Sequence, residues 1–432
     1  MNNKKLRRIA LEMIHTGVEA ADPERLVRDA VKLENGILHI ADKEFTLDNY
    51  EELLLFGIGK ASVSMASAFK TLNITDGLLL TNKNEHDRPV PVRIVKHPYP
   101  DETNLEASKE LLSKLKDAKN ALIIFLISGG GSSMFTVPAE GISIEDINDL
   151  NRLLVTSGMD IGEINTVRKH VSQVKGGRLA QICEEKGTLV GSILSDVVGD
   201  DISNVASGPT CADSTTYKDA FSILKEWDLW RKVPANVSKH LKKGLGKEIE
   251  DTPKVVKAIN ILVGNNMTAL EAMKKCGGDN NIPTIILTSE NIGEAKEVAK
   301  RRMDFAKKIK NTGSPHEPPV ALVMGGEMTV KLDPEISKEH LGGPNREFVL
   351  SAAMDIQGEN IVVASADSDG IDGSGKAGAI ANGDTIKRSS MDAMKCLNEH
   401  RSQEFFDTIG DSIEFSSKTN VNDLTVIIVG KD

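Results

Sequence analysis

The chain alternates between short apolar runs, which predict buried strands, and longer segments with apolar residues at helical spacing. A helical pattern covers about 4–33, with a break near Pro23. Further helices are predicted at 61–72, 105–117, 144–156, 166–185 and 217–227. Strands are predicted between them at 52–57, 77–80, 92–95, 121–128 and 188–198. Strands that alternate with helices in this way are typical of a mostly parallel, doubly wound sheet.

A polar, lysine-rich stretch between Pro234 and Pro253 marks the predicted end of a first domain. Beyond it, helices are predicted at 267–275, 293–309, 345–356 and 389–398, and strands at 258–264, 284–287, 320–324, 328–332, 360–366 and 424–429. The predicted fold class is α/β: an N-terminal doubly wound, Rossmann-like parallel sheet in 1–250 and a smaller C-terminal α/β domain in 251–432. We expect the active site in the cleft between the two domains.

The strongest chemical signal is the apolar run 121–128, which is typical of a buried parallel strand and ends at Ser128. It is followed by five small residues: Gly129, Gly130, Gly131, Ser132 and Ser133. Glycines let backbone N–H groups face a ligand because no Cβ intervenes. A following helix would add its own unpaired N–H groups and its dipole. The segment therefore predicts a site for phosphate or carboxylate, with a tight turn that holds no ligand as the alternative.

A second glycine turn, 57–62, begins like the dinucleotide fingerprint GxGxxG but has Ser62 at the third glycine position. The dinucleotide fold also needs an acidic residue about 20 positions further on. Asp76 stands near that distance but precedes a strand, so a nicotinamide site is disfavoured. Lys60 lies where the strand gives way to a helix, and its ammonium group can join backbone donors around an anion. A solvated lysine is the alternative interpretation.

Carboxylates follow two predicted strands. Asp367, Asp369 and Asp372 follow the strand at 360–366, and Asp196 follows the apolar residues 189–194. A near-Walker spacing occurs in the first of these loops, but it lacks the final hydroxyl residue, so a P-loop is rejected. Clustered carboxylates at strand ends suit Mg²⁺ or a hydroxyl proton acceptor. A solvated turn built on Asp-Gly pairs is the alternative.

Two sets of cations are candidates for the same chemistry. The predicted helix at 166–185 places Arg168, Lys175 and Arg178 near one face, which is either a phosphate-facing stripe or a solvated face. Two adjacent glycines interrupt that helix at a cost in propensity, which hints at close packing or a ligand. Arg346 lies in the first turn of a helix that Pro344 opens, where it can reach an anion.

Composition limits the classes of partner. The formal net charge of −10 disfavours nucleic acid and anionic membranes, and the 4% of aromatic residues gives few platforms for base stacking. The four cysteines are far apart, which argues against a zinc or redox site. The longest apolar runs fall well short of the ~20 residues that span a bilayer. No apolar signal segment follows the basic start, so we expect a reduced, cytoplasmic protein.

Eight segments taken together resemble the glycerate 2-kinase family with a MOFRL-type C-terminal domain. They occur in the family's order across nearly the whole chain: GIGKAS (57–62), HPYPDETN (97–104), SGGGSS (128–133), NTVRKHVSQVKGGRLA (165–180), SDVVGDDISNVASGPT (195–210), GGE (325–327), ADSDGIDG (366–373) and TNVND (419–423). The resemblance implies a two-domain enzyme that phosphorylates D-glycerate at its 2-hydroxyl, using ATP and Mg²⁺. It also implies that Lys60 and an arginine of the C-terminal domain lie in the catalytic cleft.

One segment departs from the family's pattern. The family commonly reads Gly-Gly-Arg-Asn-Gln-Glu where this chain reads GGPNRE at 342–347. The arginine is therefore displaced by two positions, which is about 200° around a helix. Either Arg346 approaches the site differently, or Arg168 or another cation supplies the charge.

These considerations give one set of candidate residues. Catalytic roles are assigned to Lys60, Arg346 and Asp367. Substrate or nucleotide binding is assigned to Ser128, Gly129, Gly130, Gly131, Ser132, Ser133, Arg168, Asp196 and Asn265. Metal binding is assigned to Asp196, Asp369 and Asp372.

The expected cofactors are ATP and Mg²⁺, and the expected partner is a small molecule, D-glycerate. Neither nucleic acid nor membrane is expected as a partner, and the chain is expected to be a monomer or homodimer. Two other functions stay open. One is an NAD(P)H-dependent hydroxypyruvate reductase, suggested by the turn at 57–62. The other is a non-catalytic nucleotide-binding module.

Overall fold

The computed structural model of the chain describes residues 2–83, 88–331 and 342–431. Its helices are α1 Asn3–Ala20, α2 Pro23–Ala30, α3 Ser62–Ser67, α4 Glu102–Asp117, α5 Gly131–Met134, α6 Ile144–Val155, α7 Ile161–Lys169, α8 Arg178–Cys183, α9 Tyr217–Glu226, α10 Ala235–Leu245, α11 Asn266–Asp279, α12 Ala295–Thr312, α13 Pro344–Asp355, α14 Thr385–Arg388, α15 Ala393–Asn398 and α16 Ser402–Ile409.

The strands are β1 Val31–Glu34, β2 Ile37–Ile40, β3 Lys43–Thr46, β4 Glu52–Ile58, β5 Asp76–Thr81, β6 Val92–Ile94, β7 Ala121–Ile127, β8 Gly187–Leu194, β9 Ile259–Gly264, β10 Thr284–Thr288, β11 Gly293–Glu294, β12 Val320–Gly326, β13 Met328–Thr329, β14 Ile361–Asp367, β15 Gly378–Asn382, β16 Ser412–Ile413 and β17 Asp423–Val429. Within the described ranges, no helix is long and apolar enough to cross a membrane.

The chain divides into two units, which differ in their bounds from the predicted domains. The N-terminal unit is Pro23–Val263, and the C-terminal unit combines Met1–Asp22 with Gly264–Asp432. The predicted boundary at 250/251 came too early because β9 joins the sheet of the N-terminal unit. The first helix joins the C-terminal unit because its buried apolar face packs on α11. Helical periodicity shows that α1 has an apolar face but does not identify its partner.

The N-terminal unit contains the predicted doubly wound parallel sheet. Its strand order is β6-β5-β4-β7-β8-β9, and the pairs from β6 to β8 are parallel. Ile58 of β4 lies opposite Ile127 of β7, which lies opposite Ile193 of β8. The carboxyl ends of three neighbouring strands are therefore level. A small antiparallel sheet of β1, β2 and β3 was not predicted, because the helical pattern was carried too far, to residue 33.

The helix predicted at 166–185 is two helices, α7 and α8. Gly176 and Gly177 have left-handed φ values of +57° and +80°, so the chain turns between them rather than continuing as a helix. The common face predicted for Arg168, Lys175 and Arg178 is therefore wrong. The loss of helix stability expected from two glycines inside a helix does not arise, because the two glycines lie between α7 and α8. The lysine-rich stretch after Pro234 contains an unpredicted helix, α10.

The C-terminal unit is built on a mixed sheet of order β10-β12-β17-β14-β15-β16. Only the β10–β12 pair is parallel among its described pairs, and the others are antiparallel. The central strands β12, β14 and β17 are almost wholly buried. Strand β15 and helix α16 were not predicted. The strand predicted at 328–332 is shorter, and Leu332 lies outside the described residues.

Candidate active site

The turn at 57–62 and the segment 128–133 are joined by hydrogen bonds; we call them the lysine turn and the glycine loop. The Ser128 backbone N–H donates to the Ile58 carbonyl at 3.1 Å, and Ser128 Oγ accepts from the Ala61 N–H at 3.1 Å. The Lys60 N–H donates to the Gly129 carbonyl at 2.9 Å. These bonds form because β4 and β7 end at the same level. Lys60 and the glycine loop, predicted from separate motifs, therefore lie together.

Two glycines allow these segments to approach closely. Gly59 has φ +108°, and a Cβ there would lie 2.4 Å from the Ser128 carbonyl oxygen. A Cβ on Gly129 would lie 2.0 Å from Oδ2 of Asp196, which follows β8. The Asp196 carboxylate thus packs directly on the glycine loop. The structure brings Lys60, the loop and Asp196 together, as the prediction that all three serve one site requires.

His97 also lies beside the glycine loop. The sequence analysis named it only as part of the motif HPYPDETN (97–104). It follows β6, and its Nδ1 lies 2.8 Å from Oγ of Ser133 in the glycine loop. Burial, and secondarily the positive charge of Lys60, lower the pKa of His97 below its usual range. Its position just after a short parallel strand could have marked His97 as a site residue, but the sequence analysis assigned it no role.

A strained segment also reaches the glycine loop. Ala206, Ser207 and Gly208 have consecutive left-handed φ values of +52°, +60° and +60°. Such values are costly for residues with a side chain and persist where neighbouring contacts fix them. Here Ser207 Oγ lies 2.9 Å from Ser132 Oγ and donates to Asn165 Oδ1 at 2.8 Å. The strain therefore places one hydroxyl against the glycine loop.

A buried lysine lies beneath the loop. Lys175 is 6% exposed, and its Nζ donates to the carbonyls of Ser132 at 2.6 Å and Phe135 at 3.0 Å. Within the described part of the chain, no carboxylate pairs with it. Burial, and secondarily the positive charge of Arg168, lower the pKa of Lys175 to about 7. The sequence analysis placed Lys175 in a stripe of cations and omitted it from the candidate set.

Arg168 is half-buried on α7 rather than on a solvated face. Its Nε donates to Asn151 Oδ1 at 2.8 Å, and burial lowers its pKa to about 10. After burial, its positive charge is the second cause that lowers the pKa of Lys175. The substrate-binding role assigned to Arg168 stays a prediction.

In the C-terminal unit, Asp367 and Asp369 form a tight turn after β14. The Asp369 N–H donates to Asp367 Oδ1 at 3.0 Å, and Asp423 lies opposite Asp367 in the register of β14 and β17. Burial, followed by the negative charges of Asp369 and Asp423, raises the pKa of Asp367 well above its usual range. The catalytic role assigned to Asp367 stays a prediction.

Arg346 and Asp372 are paired with each other in the interior. Arg346 Nε donates to Asp372 Oδ2 at 3.1 Å, and both side chains are fully buried. The backbone N–H groups of Asn345 and Arg346 donate to the two Asp372 oxygens, each at 3.0 Å. Arg346 thereby fixes the 367–376 loop to α13, while its Nη1 is buried without a hydrogen-bond partner among the described residues. Both Asp372 oxygens already accept hydrogen bonds. The catalytic role assigned to Arg346 and the metal-binding role assigned to Asp372 stay predictions that these contacts do not favour.

Asn265 has a structural contact that the sequence analysis did not anticipate. It is the N-cap of α11, where its Oδ1 accepts from the Thr268 N–H at 3.0 Å. An N-cap asparagine stabilises the first turn of a helix. The ligand-binding role assigned to Asn265 stays a prediction.

The predicted Mg²⁺ ligands do not form a ready-made cage. No group of three or more His, Cys, Asp or Glu side chains suited to a metal ion occurs within the described residues. Mg²⁺ in phosphoryl-transfer sites usually uses only one or two carboxylates, together with waters and substrate phosphates. The metal-binding roles assigned to Asp196 in the N-terminal unit and to Asp369 in the C-terminal unit stay predictions, whereas both oxygens of Asp372 already accept hydrogen bonds.

Family models match both units of the chain. One described as "Domain of unknown function (DUF4147)" matches residues 9–242, and one described as "MOFRL family" matches residues 320–423. The boundary between them falls in the region where β9 completes the parallel sheet.

Three relatives show what the chain is similar to. It is 38% identical over 435 residues to a glycerate 2-kinase of Pyrococcus horikoshii, covering 98% of this chain and 97% of the relative. It is 32% identical over 442 residues to a D-glycerate 2-kinase of Thermotoga maritima, covering 99% of both. It is 36% identical over 389 residues to an Agrobacterium vitis protein named as a candidate hydroxypyruvate reductase, covering 87% of this chain and 99% of that protein.

Two crystal structures share the fold over their whole length. A Pyrococcus horikoshii protein has a TM-score of 0.84 at 38% identity, covering 100% of this chain and 99% of its own. A glycerate kinase from Thermotoga maritima has a TM-score of 0.83 at 31% identity, covering 99% of this chain and 100% of its own.

Proposed function

The chain belongs to the glycerate 2-kinase family, and from this premise we propose that it transfers the γ-phosphoryl group of ATP to the 2-hydroxyl of D-glycerate. The products are 2-phosphoglycerate and ADP. The observation that carries the proposal is the joining of the lysine turn to the glycine loop at level strand ends, with buried Lys175 beneath. The names of full-length relatives at 32–38% identity support the choice of substrate.

Phosphoryl transfer suits such a site because it needs little covalent chemistry from the protein. Positioned donors and cations that neutralise charge on the transferring group supply most of the catalysis. Lys60 supplies a cation where the glycine loop begins. Gly129 and its neighbours offer backbone groups, and Ser132 and Ser133 offer hydroxyls. The anion held there is either the carboxylate of glycerate or a phosphate of ATP.

Mg²⁺ belongs to the proposal as an ion carried by the nucleotide. When bound, it would neutralise charge on the transferring group. Asp196 lies against the glycine loop, and Asp369 follows the central strand β14 of the other unit. Asp196 and Asp369 are each a candidate ligand for it, whereas both oxygens of Asp372 accept hydrogen bonds within the C-terminal unit.

The reductase alternative is retained because relatives carry that name. The structure of the lysine turn does not favour it. In a dinucleotide site, the second glycine of the fingerprint lets the backbone approach the pyrophosphate. Here the space beside Gly59 is filled by Ser128, whose carbonyl and hydroxyl oxygens would both lie 2.4 Å from a Cβ on Gly59.

One set of assays separates these functions. Purified protein is mixed with ATP and Mg²⁺, and ADP release is followed with D-glycerate, with L-glycerate and without acceptor. In parallel, NADH and NADPH oxidation is followed with hydroxypyruvate. We expect ADP release that depends on D-glycerate and on Mg²⁺, and no reduction. NAD(P)H oxidation with hydroxypyruvate in the absence of ATP would favour the reductase, and ATP binding without turnover of any hydroxy acid would favour the non-catalytic module.

A further inference from the structure

His97 lies beside the glycine loop, and the proposed reaction so far gives it no role. Its segment is held rigidly by Asn104, which is fully buried. Asn104 Nδ2 donates to the carbonyls of Lys96 at 2.9 Å and Ser133 at 3.0 Å, and its Oδ1 accepts from the Lys96 N–H at 3.1 Å. One side chain therefore ties the residue before His97 to the glycine loop.

The hydrogen bonds of Ser133 determine which imidazole nitrogen carries the proton. A hydroxyl group has a single hydrogen to donate. When Ser133 Oγ donates that hydrogen to the Gly130 carbonyl at 3.2 Å, its contact of 2.8 Å with His97 is an Nδ1–H donating to Oγ. In a neutral ring, Nε2 then keeps its lone pair. Within the described ranges, Nε2 has no hydrogen-bond partner, and the residue is partly exposed.

We propose that His97 is the catalytic base of this chain, with Nε2 accepting the proton of the substrate hydroxyl that attacks ATP. The inference rests on the proposed function. In this step, the O–H bond of the substrate breaks and the proton passes to Nε2. A bond forms between that oxygen and the γ-phosphorus, and the bond from the γ-phosphorus to the bridging oxygen breaks, releasing ADP. The imidazolium then returns its proton to solvent.

The charges around His97 favour this role. Lys60 faces it from the lysine turn and, together with burial, lowers its pKa, so the ring is neutral at pH 7. The glycine loop packed against it contributes only serines and glycines. Asp196 lies against Gly129 in that loop, which makes it the carboxylate that could compete for the proton. Asp367 belongs to the C-terminal unit, where burial and the charges of Asp369 and Asp423 raise its pKa.

The test compares the wild-type protein with His97→Asn. The asparagine Nδ2–H keeps a donor for Ser133 but removes the proton acceptor. A positioned base contributes about 10²–10⁴-fold, so kcat for 2-phosphoglycerate formation should fall at least ~100-fold. The KM values for D-glycerate and ATP should change by less than about threefold. The acidic limb of the wild-type pH profile should also disappear, because it reports protonation of His97.

Ser133→Ala is the matched control. It leaves Nε2 in place but frees the ring, so kcat should fall less than in His97→Asn, and the acidic limb should remain. Proton–nitrogen correlation NMR of histidine-labelled wild-type protein reads the tautomer directly, and the signal of His97 is identified by its change in Ser133→Ala. An Nε2–H tautomer at neutral pH would overturn the proposal, even if His97→Asn does not fold.

The outcomes also separate this inference from the proposed function. If the wild-type protein makes 2-phosphoglycerate and folded His97→Asn retains more than about a tenth of kcat with the same pH profile, His97 is not the base. Loss of the acidic limb in Asp196→Asn instead would assign the proton to Asp196. If the wild-type protein makes no 2-phosphoglycerate, both proposals are wrong.

Discussion

At the scale of single residues, Lys60 is the cation best placed to act on a substrate anion. Its backbone N–H is bonded to the first glycine of the loop, and its side chain is half-buried beside His97. Lys175, by contrast, donates to two carbonyls from beneath the loop. We therefore expect the two lysines to have different tasks: Lys60 contacts the ligand, and Lys175 supports the glycine loop.

Replacing Lys60 by Ala should reduce kcat/KM for D-glycerate by about 10²–10³-fold, because a positioned charge at the transferring group is worth that much. The fold should be unaffected, which circular dichroism and thermal unfolding would show. Lys70→Ala is the matched control, since Lys70 is exposed just beyond α3. A Lys60→Ala variant within about tenfold of wild-type activity would exclude Lys60 from the reaction.

Lys175 should make stability depend on pH. The unfolded chain keeps this proton up to about pH 10.5, whereas the folded protein releases it near pH 7. Between these values the unfolded state binds more protons, so the free energy of unfolding rises with pH. Each pKa unit corresponds to about 1.4 kcal/mol.

Urea unfolding of the wild-type protein and Lys175→Met from pH 6.5 to about 9.5 measures this effect. The wild-type protein should gain stability relative to the variant by up to a few kcal/mol as the pH rises. All other titrating groups cancel in the comparison. Parallel curves for the two proteins would show that Lys175 keeps its proton in the folded state.

At the scale of elements, the ion pair of Arg346 and Asp372 ties the loop after β14 to the start of α13. A Cβ on Gly343, the N-cap of that helix, would lie 2.1 Å from Asp372 Oδ1, so the pair also explains the glycine. The pair stabilises these two elements against each other.

Arg346→Met should lower the free energy of unfolding by about 3–5 kcal/mol, because Asp372 is left buried without its partner. The double variant Arg346→Met with Asp372→Asn should recover much of that loss, since both charges are then removed. Urea unfolding of the three proteins measures it. If Arg346→Met instead keeps wild-type stability but loses activity, the original catalytic assignment of Arg346 would be restored.

The parallel sheet of the N-terminal unit could be predicted because each of its central strands is a continuous apolar run bounded by polar residues. Gly176 and Gly177 lower the helix propensity of their segment, and the sequence showed this. Propensity does not tell whether a glycine has a positive φ, so the turn that they form could not be predicted. The antiparallel pairing of β14 and β17 joins residues far apart in sequence. Short strands such as β1 and β15 have too few residues to show the alternation of apolar and polar positions that identifies a strand.

The part of the candidate site that lies directly after the strands of the parallel sheet could be predicted from the sequence. Lys60, the glycine loop and Asp196 follow three strands of one parallel sheet, so their meeting follows from the fold. Ser207 could not be predicted because it reaches the loop through left-handed backbone that its sequence does not demand. The position of Lys175 beneath the glycine loop could not be predicted, because it depends on the turn that replaces the predicted helix.

At the scale of the whole molecule, the two units contribute different chemistry. The N-terminal unit holds Lys60 and Lys175 at the glycine loop and Arg168 on α7, although the chain as a whole has a formal charge of −10. The C-terminal unit holds the carboxyl groups of Asp367, Asp369 and Asp423. Relatives named glycerate 2-kinase match this chain over both units.

The most direct test of the proposed function is phosphorus NMR of the reaction of ATP, Mg²⁺ and D-glycerate with the purified protein. The proposal predicts ADP together with a single new phosphomonoester signal, split by one proton, because the 2-carbon of glycerate carries one hydrogen. A signal split by two protons would identify 3-phosphoglycerate and contradict transfer to the 2-hydroxyl. No new phosphomonoester in the presence of folded protein would contradict the kinase activity itself.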